Sequence, residues 1–150
     1  MKRTAVVCVG NRMRGDDAVG PLVADRLRDV DGLTVFDAGM SPENYLDPVV
    51  KLEPELLVLV DACAFGGEPG EVRVFERAEL EDLAGGMVST HTLPLSMTVA
   101  LLEQQVDAEI RFIGVQPGHL EFDAGVSEPV EKAVPLVVRR VVELAGAVSA

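Results

Sequence analysis

Two neighbouring carboxylates, Asp16 and Asp17, lie inside a glycine-framed stretch, Gly10-Asn11-Arg12-Met13-Arg14-Gly15-Asp16-Asp17-Ala18-Val19-Gly20. A valine-rich apolar run, Thr4 to Val9, precedes it. Pro21-Leu22-Val23-Ala24-Asp25-Arg26-Leu27 follows, with apolar residues at helical spacing. The stretch therefore reads as a turn between a buried strand and a helix. In open α/β sheets, ligands bind at such turns, outside the carboxyl ends of the strands. The spacing of Gly10 and Gly15 matches the glycines of a P-loop, but Asp16 and Asp17 stand where Lys and Ser or Thr should be. Two carboxylates repel phosphate. A dinucleotide fingerprint needs a second glycine that Gly10-Asn11-Arg12 lacks. Helix capping explains one acid, with Asp16 as the cap and Asp17 in the first turn. The second acid is better explained by a cation or by acid–base chemistry.

Asp61 and His91 are the other two groups. Asp61 ends the most apolar run of the chain, Leu56-Leu57-Val58-Leu59-Val60-Asp61, and His91 precedes a long apolar helix. Two carboxylates and one imidazole make an incomplete ligand set. It suits a divalent transition metal and leaves positions open for substrate or water. Such a site can polarise a carbonyl and acidify bound water, as amide hydrolysis requires. The plainer alternatives stay open at this level: Asp61 as a turn cap, His91 as a hydrogen-bonded rim residue. His119, in Pro117-Gly118-His119-Leu120, reads as a loop residue. Of the two cysteines, Cys8 reads as a core residue, and Cys63 stays a weak nucleophile candidate because it follows Asp61 closely.

The elements that must carry these groups alternate between strand and helix. Strands are expected at Thr4 to Val9, Leu33 to Asp37, Leu56 to Asp61, Glu71 to Phe75 and Ala108 to Gln116. Helices are expected from about Asp17 to Val30, from an N-cap at Ser41 with Pro42 at N1 to Lys51, from Leu93 to Gln105, and from near Ser127 onward. Ala38-Gly39-Met40 leaves the second strand. The acidic segment Glu76 to Gly86 is expected to hold a short helix or turn. The loop Ala62 to Gly70 has nine residues, three of them glycine. A parallel return needs about a dozen residues, so the Glu71 to Phe75 strand should run antiparallel at an edge. The expected fold is α/β in three layers: a mostly parallel five-stranded sheet, one antiparallel strand, and helices on both faces. The strands before Asp16-Asp17 and at Asp61 are then neighbours, so the acids converge on one edge.

The chain has 150 residues, 48% of them hydrophobic, which predicts one domain with a sizeable core. Thirteen basic residues against 25 acidic ones give a net charge of −12, which argues against nucleic acid or an anionic membrane as partner. Apolar runs fall short of the roughly 20 residues of a membrane helix. Met1 to Thr4 runs straight into a strand with no small-residue cleavage site, so the expected location is cytoplasmic.

Taken in order, the motifs resemble the hydrogenase maturation endopeptidases. The resemblance is carried by the Gly10 to Gly20 stretch, Asp37-Ala38-Gly39, Ser41-Pro42-Glu43-Asn44 and Val60-Asp61-Ala62. It continues through Pro69-Gly70-Glu71-Val72-Arg73, Thr90-His91-Thr92-Leu93-Pro94-Leu95 and Ile113-Gly114-Val115-Gln116-Pro117. The Ser-Pro-Glu-Asn and Gly-Val-Gln-Pro stretches are most similar to the branch that processes hydrogenase-3-type large subunits. The resemblance implies an endopeptidase that removes a C-terminal peptide from a [NiFe]-hydrogenase large-subunit precursor after nickel insertion. It implies nickel contacts at Asp17, Asp61 and His91, with the nickel supplied by the precursor. Ala38 stands where relatives often have glycine, which bears on substrate fit at that loop. Two rivals come from other classes: a signalling receiver domain, which would need a lysine where Gln116-Pro117 stands, and a metal-independent binding module.

Overall fold

The valine and leucine runs build the sheet. In a computed structural model that describes residues 2–83, 88–89 and 95–146, the strands are β1 (Thr4–Val9), β2 (Leu33–Gly39), β3 (Leu56–Ala64), β4 (Val72–Glu76), β5 (Val88–Ser89) and β6 (Glu109–Val115). The main sheet runs β2-β1-β3-β6-β4. β2, β1, β3 and β6 are mutually parallel. β4 lies antiparallel on β6 at the edge, from Val72 opposite Val115 to Glu76 opposite Arg111. The short connection between β3 and β4, residues 65–71, allows only this direction. β3 is central and buried from Leu56 to Cys63, as expected of a run apolar on both faces.

Helices α1 (Val19–Leu27), α2 (Leu46–Leu52), α3 (Arg77–Leu83), α4 (Leu95–Glu103) and α5 (Glu128–Ala145) cover the sheet. Alternation along each strand sends side chains to opposite faces. Val6, Cys8, Val58 and Val60 meet α1 and α5 on one side. Ala5, Val7, Leu57 and Leu59 meet α2, α3 and α4 on the other. Val130, Val134, Val137 and Val141 form the buried stripe of α5. Each fully buried valine or leucine contributes about 1.5–3 kcal/mol relative to exposure.

Three local features differ from the expected pattern. The first and second helices each begin as a 3-10 turn, Gly15–Ala18 and Pro42–Tyr45. Ser41 makes no side-chain cap; its N–H donates to the Ala38 carbonyl and its own carbonyl accepts from Asn44 N–H, so backbone turns do the capping. β2 does not end at Asp37. Its register against β1 steps from Cys8–Asp37 to Val9–Gly39, a bulge that absorbs Ala38 and keeps Gly39 in the ladder. Finally, β5 pairs antiparallel with the end of β3, Cys63 opposite Ser89 and Ala64 opposite Val88.

Candidate active site

The carboxyl edge of β1, β3 and β6 carries the acids. Two glycines permit the approach. Gly10 has φ +151°, and a Cβ there would sit 2.0 Å from the Asp17 carbonyl oxygen. Gly15 has φ +50°, and a Cβ there would lie 2.7 Å from His119 Nδ1. Side chains at these positions would drive apart the loop after β1, its 3-10 turn and the loop after β6.

The two neighbouring acids have different tasks, and neither caps a helix. Asp16 is fully buried. Its carboxylate accepts from Gly118 N–H (2.6 Å), Ser127 N–H (2.7 Å), Ser127 Oγ (2.8 Å) and His119 N–H (3.0 Å). Asp16 N–H returns a bond to the His119 carbonyl at 2.9 Å. Burial alone would raise its pKa; the bonds from Ser127, His119 and Gly118 outweigh that and hold the carboxyl below its ordinary value. Ser127 precedes α5 without capping it by its side chain, because its hydroxyl serves Asp16 instead. Asp16 is thus a structural anion joining the loops after β1 and β6 to the start of α5.

Asp17 is also buried, but it turns inward, and its Oδ2 accepts Asn11 N–H at 2.9 Å. Asp61 is buried on β3, opposite Gly114 of β6 and one residue past Val60, the last β3 residue paired with β1. The Gly15–Ala18 turn packs on β3. Asp17 and Asp61 therefore meet the edge from adjacent strands, as the topology required. His91 lies outside the described residues; Ser89, two positions earlier, is paired opposite Cys63. Among the described residues no three histidine, cysteine or carboxylate side chains form a metal-holding group. The trio drawn from the sequence would need His91.

Arg12 secures the outer side of the loop. Its guanidinium grips Asp25 of α1 through two 2.8 Å bonds and Asp37 of β2 through one of 2.7 Å. A cleft of about 360 Å³ opens there, bordered by Gly10, Asn11, Arg12, Asp37, Met40 and Tyr45. Gln116 has a role that sequence reasoning missed. Its Oε1 accepts from Phe65 N–H (2.9 Å) and Gly67 N–H (3.1 Å), pinning the loop between β3 and β4. Its position in the Gly114-Val115-Gln116-Pro117 motif was the available signal. A receiver-type lysine is absent there, and this side chain is committed to structure.

Neither cysteine suits nucleophilic attack. Burial, aided by the negative charge of Asp61, pushes the Cys63 thiol up to about 12. Burial likewise raises Cys8. At neutral pH both are thiols. Cys63→Ala is therefore expected to keep the activity that the resemblance implies within about 3-fold of wild type, with a stability loss on the order of 1 kcal/mol. A progress curve reads the first and a thermal melt the second; complete loss of activity in a folded variant would reinstate Cys63 as nucleophile.

Comparison with known proteins places these features in a family. Residues 19–144 match the model of the hydrogenase maturation protease family. The chain is 34% identical over 137 residues to the hydrogenase 3 maturation protease of Escherichia coli K12, covering 90% of this chain and 86% of that protein. The crystal structure of a [NiFe] hydrogenase maturation protease, HycI, from Thermococcus kodakarensis KOD1 is similar with a TM-score of 0.84 at 34% identity, covering 97% of this chain and 94% of that one. The solution structure of the endopeptidase HycI from Escherichia coli is similar with a TM-score of 0.78 at 31% identity, covering 91% and 87% respectively.

Proposed function

Because this chain belongs to the hydrogenase maturation protease family, and is a peptidase that processes a hydrogenase precursor, we propose that it removes the C-terminal extension of a nickel-loaded [NiFe]-hydrogenase large subunit and recognises the substrate's nickel through Asp17, Asp61 and His91. One observation carries this reading: two buried carboxylates, Asp17 and Asp61, reach the same edge from neighbouring strands. Nickel here belongs to the substrate. Carboxylate oxygens and an imidazole nitrogen are donors it accepts.

The chain's own part is placement. Asn11 N–H orients the Asp17 carboxylate, and the rigid β3 strand orients Asp61. Without a cation the two like charges oppose each other. A precursor lacking metal would therefore not be held, which gives selection by a missing partner. In this reading water attacks the scissile carbonyl, activated by the substrate's nickel or by a carboxylate of the pair. Among the described residues no helix is long and apolar enough to cross a membrane.

Intact mass of the precursor, with and without nickel, tests this directly. A single C-terminal loss confined to the nickel-loaded sample is the expected result. Cleavage of both samples would keep the peptidase and discard nickel as the recognised feature. Cleavage of neither, with loading verified separately, would overturn the proposal.

A further inference from the structure

Among the described residues most large apolar side chains are buried, and three of the exceptions share one edge. Met13 is 62% exposed, Phe122 67% and Met40 49%; the other exposed ones among the described residues are Leu101 on α4 and Leu136 on α5. Met13, Met40 and Phe122 sit on the loops after β1, β2 and β6, the same edge that carries Asp17 and Asp61.

These loops are tied together. Arg14 and Phe122 form an antiparallel bridge, so the two loops make a short ribbon. Asp123 N–H donates to the Met13 carbonyl at 2.9 Å, and Arg14 Nε to the Leu120 carbonyl at 3.3 Å. Asn11 Nδ2 reaches Met40 Sδ at 3.4 Å. Met13 and Phe122 therefore occupy adjacent rungs of an anchored ribbon. An anchored apolar surface loses little freedom on binding. Exposed apolar groups concentrated at one place mark interaction sites, and a methionine beside an aromatic gives an adaptable contact next to a firm anchor.

Charge narrows the partner. Glu121 and Asp123, both exposed, flank Phe122. The Arg12 guanidinium nearby is occupied by Asp25 and Asp37. The chain as a whole carries −12. A complementary segment is apolar with basic neighbours.

We infer that the Met13–Phe122 ribbon is the docking element for the hydrogenase precursor, and that the precursor segment adjoining its cleavage point offers apolar side chains flanked by Lys or Arg. This rests on the proposed function, which puts the scissile bond at the same edge.

The test compares the Met13→Ser/Phe122→Ser double variant with Leu101→Ser/Leu136→Ser, using full-length chain and nickel-loaded precursor. The ribbon variant should raise KM about 10-fold and leave kcat within about 2-fold of wild type. The helix variant should match wild type in both. Unchanged KM in the ribbon variant, an equal rise in both variants, or a fall in kcat alone would overturn the docking role. Direct binding to the same precursor is followed in parallel by surface plasmon resonance. Wild-type binding without cleavage would refute the peptidase proposal and leave docking to be judged on the variants' affinities. Absence of wild-type binding would overturn the docking element itself. Glu121→Gln/Asp123→Asn addresses the charge; asparagine tolerates the left-handed φ of 60° at position 123. It should weaken binding and flatten its salt dependence. An unchanged salt response would remove the basic residues from the inferred segment.

Discussion

Asp17→Asn and Asp61→Asn are each expected to cut processing of the loaded precursor by at least about 10²-fold, while leaving the fold intact. Both are buried at one edge. Asparagine keeps the shape. At position 17 its Oδ1 can still accept Asn11 N–H, the bond that Asp17 Oδ2 receives at 2.9 Å. What it removes is charge, and with it the hard anionic oxygen and the base. His91→Ala should show the same loss of cleavage. The measurements are an intact-mass time course and a thermal melt on each variant. Near-normal cleavage by all three would sink the site assignment, and loss of cleavage together with loss of folding would make these residues structural.

The layered fold was legible because its signals are local. Continuous apolar runs marked β1 and β3, a short connection forced β4 to turn back, and the valine spacing of α5 marked its buried stripe. The placement of Asp61 followed from topology, since β1 and β3 are neighbours. The division of labour between Asp16 and Asp17 was not legible. The environment of Asp16 is fixed by partners on other loops: Gly118, His119 and Ser127 lie 102, 103 and 111 residues from it. Periodicity carries nothing about such contacts. The same holds for Gln116, whose side chain serves a loop about 50 residues earlier in the chain. Ser127 shows how such a contact overrides a local signal. Its position before a helix is that of a cap, yet a buried anion competes for its hydroxyl and wins. The Ala38 bulge was hidden for another reason: an extra residue in a strand changes pairing, not composition.

Asp16→Ala should give the opposite signature to Asp17→Asn. The carboxylate satisfies three backbone N–H groups and one hydroxyl within 2.6–3.0 Å. Removing it leaves several buried donors without an acceptor, with a loss of about 3 kcal/mol or more. The melting temperature falls first. Cleavage falls with it, because the Gly15–Ala18 turn that carries Asp17 loses its tie to the loop after β6 and to α5. Acid offers an independent check. The folded carboxyl lies below its ordinary value because hydrogen bonds outweigh the burial that opposes them. Its stabilisation is therefore fully present above the unfolded value, near about 4, and is lost as pH falls through the lower folded value. Asp16→Asn should sit below wild type in stability by a constant amount between about pH 5 and 7, and the gap should close under more acid conditions. Denaturant melts across that range read it directly. A gap that persists undiminished in acid would mean that the charge of Asp16 contributes nothing beyond its shape. A stable Asp16→Ala variant with normal cleavage would mean that the loops after β1 and β6 hold together without it.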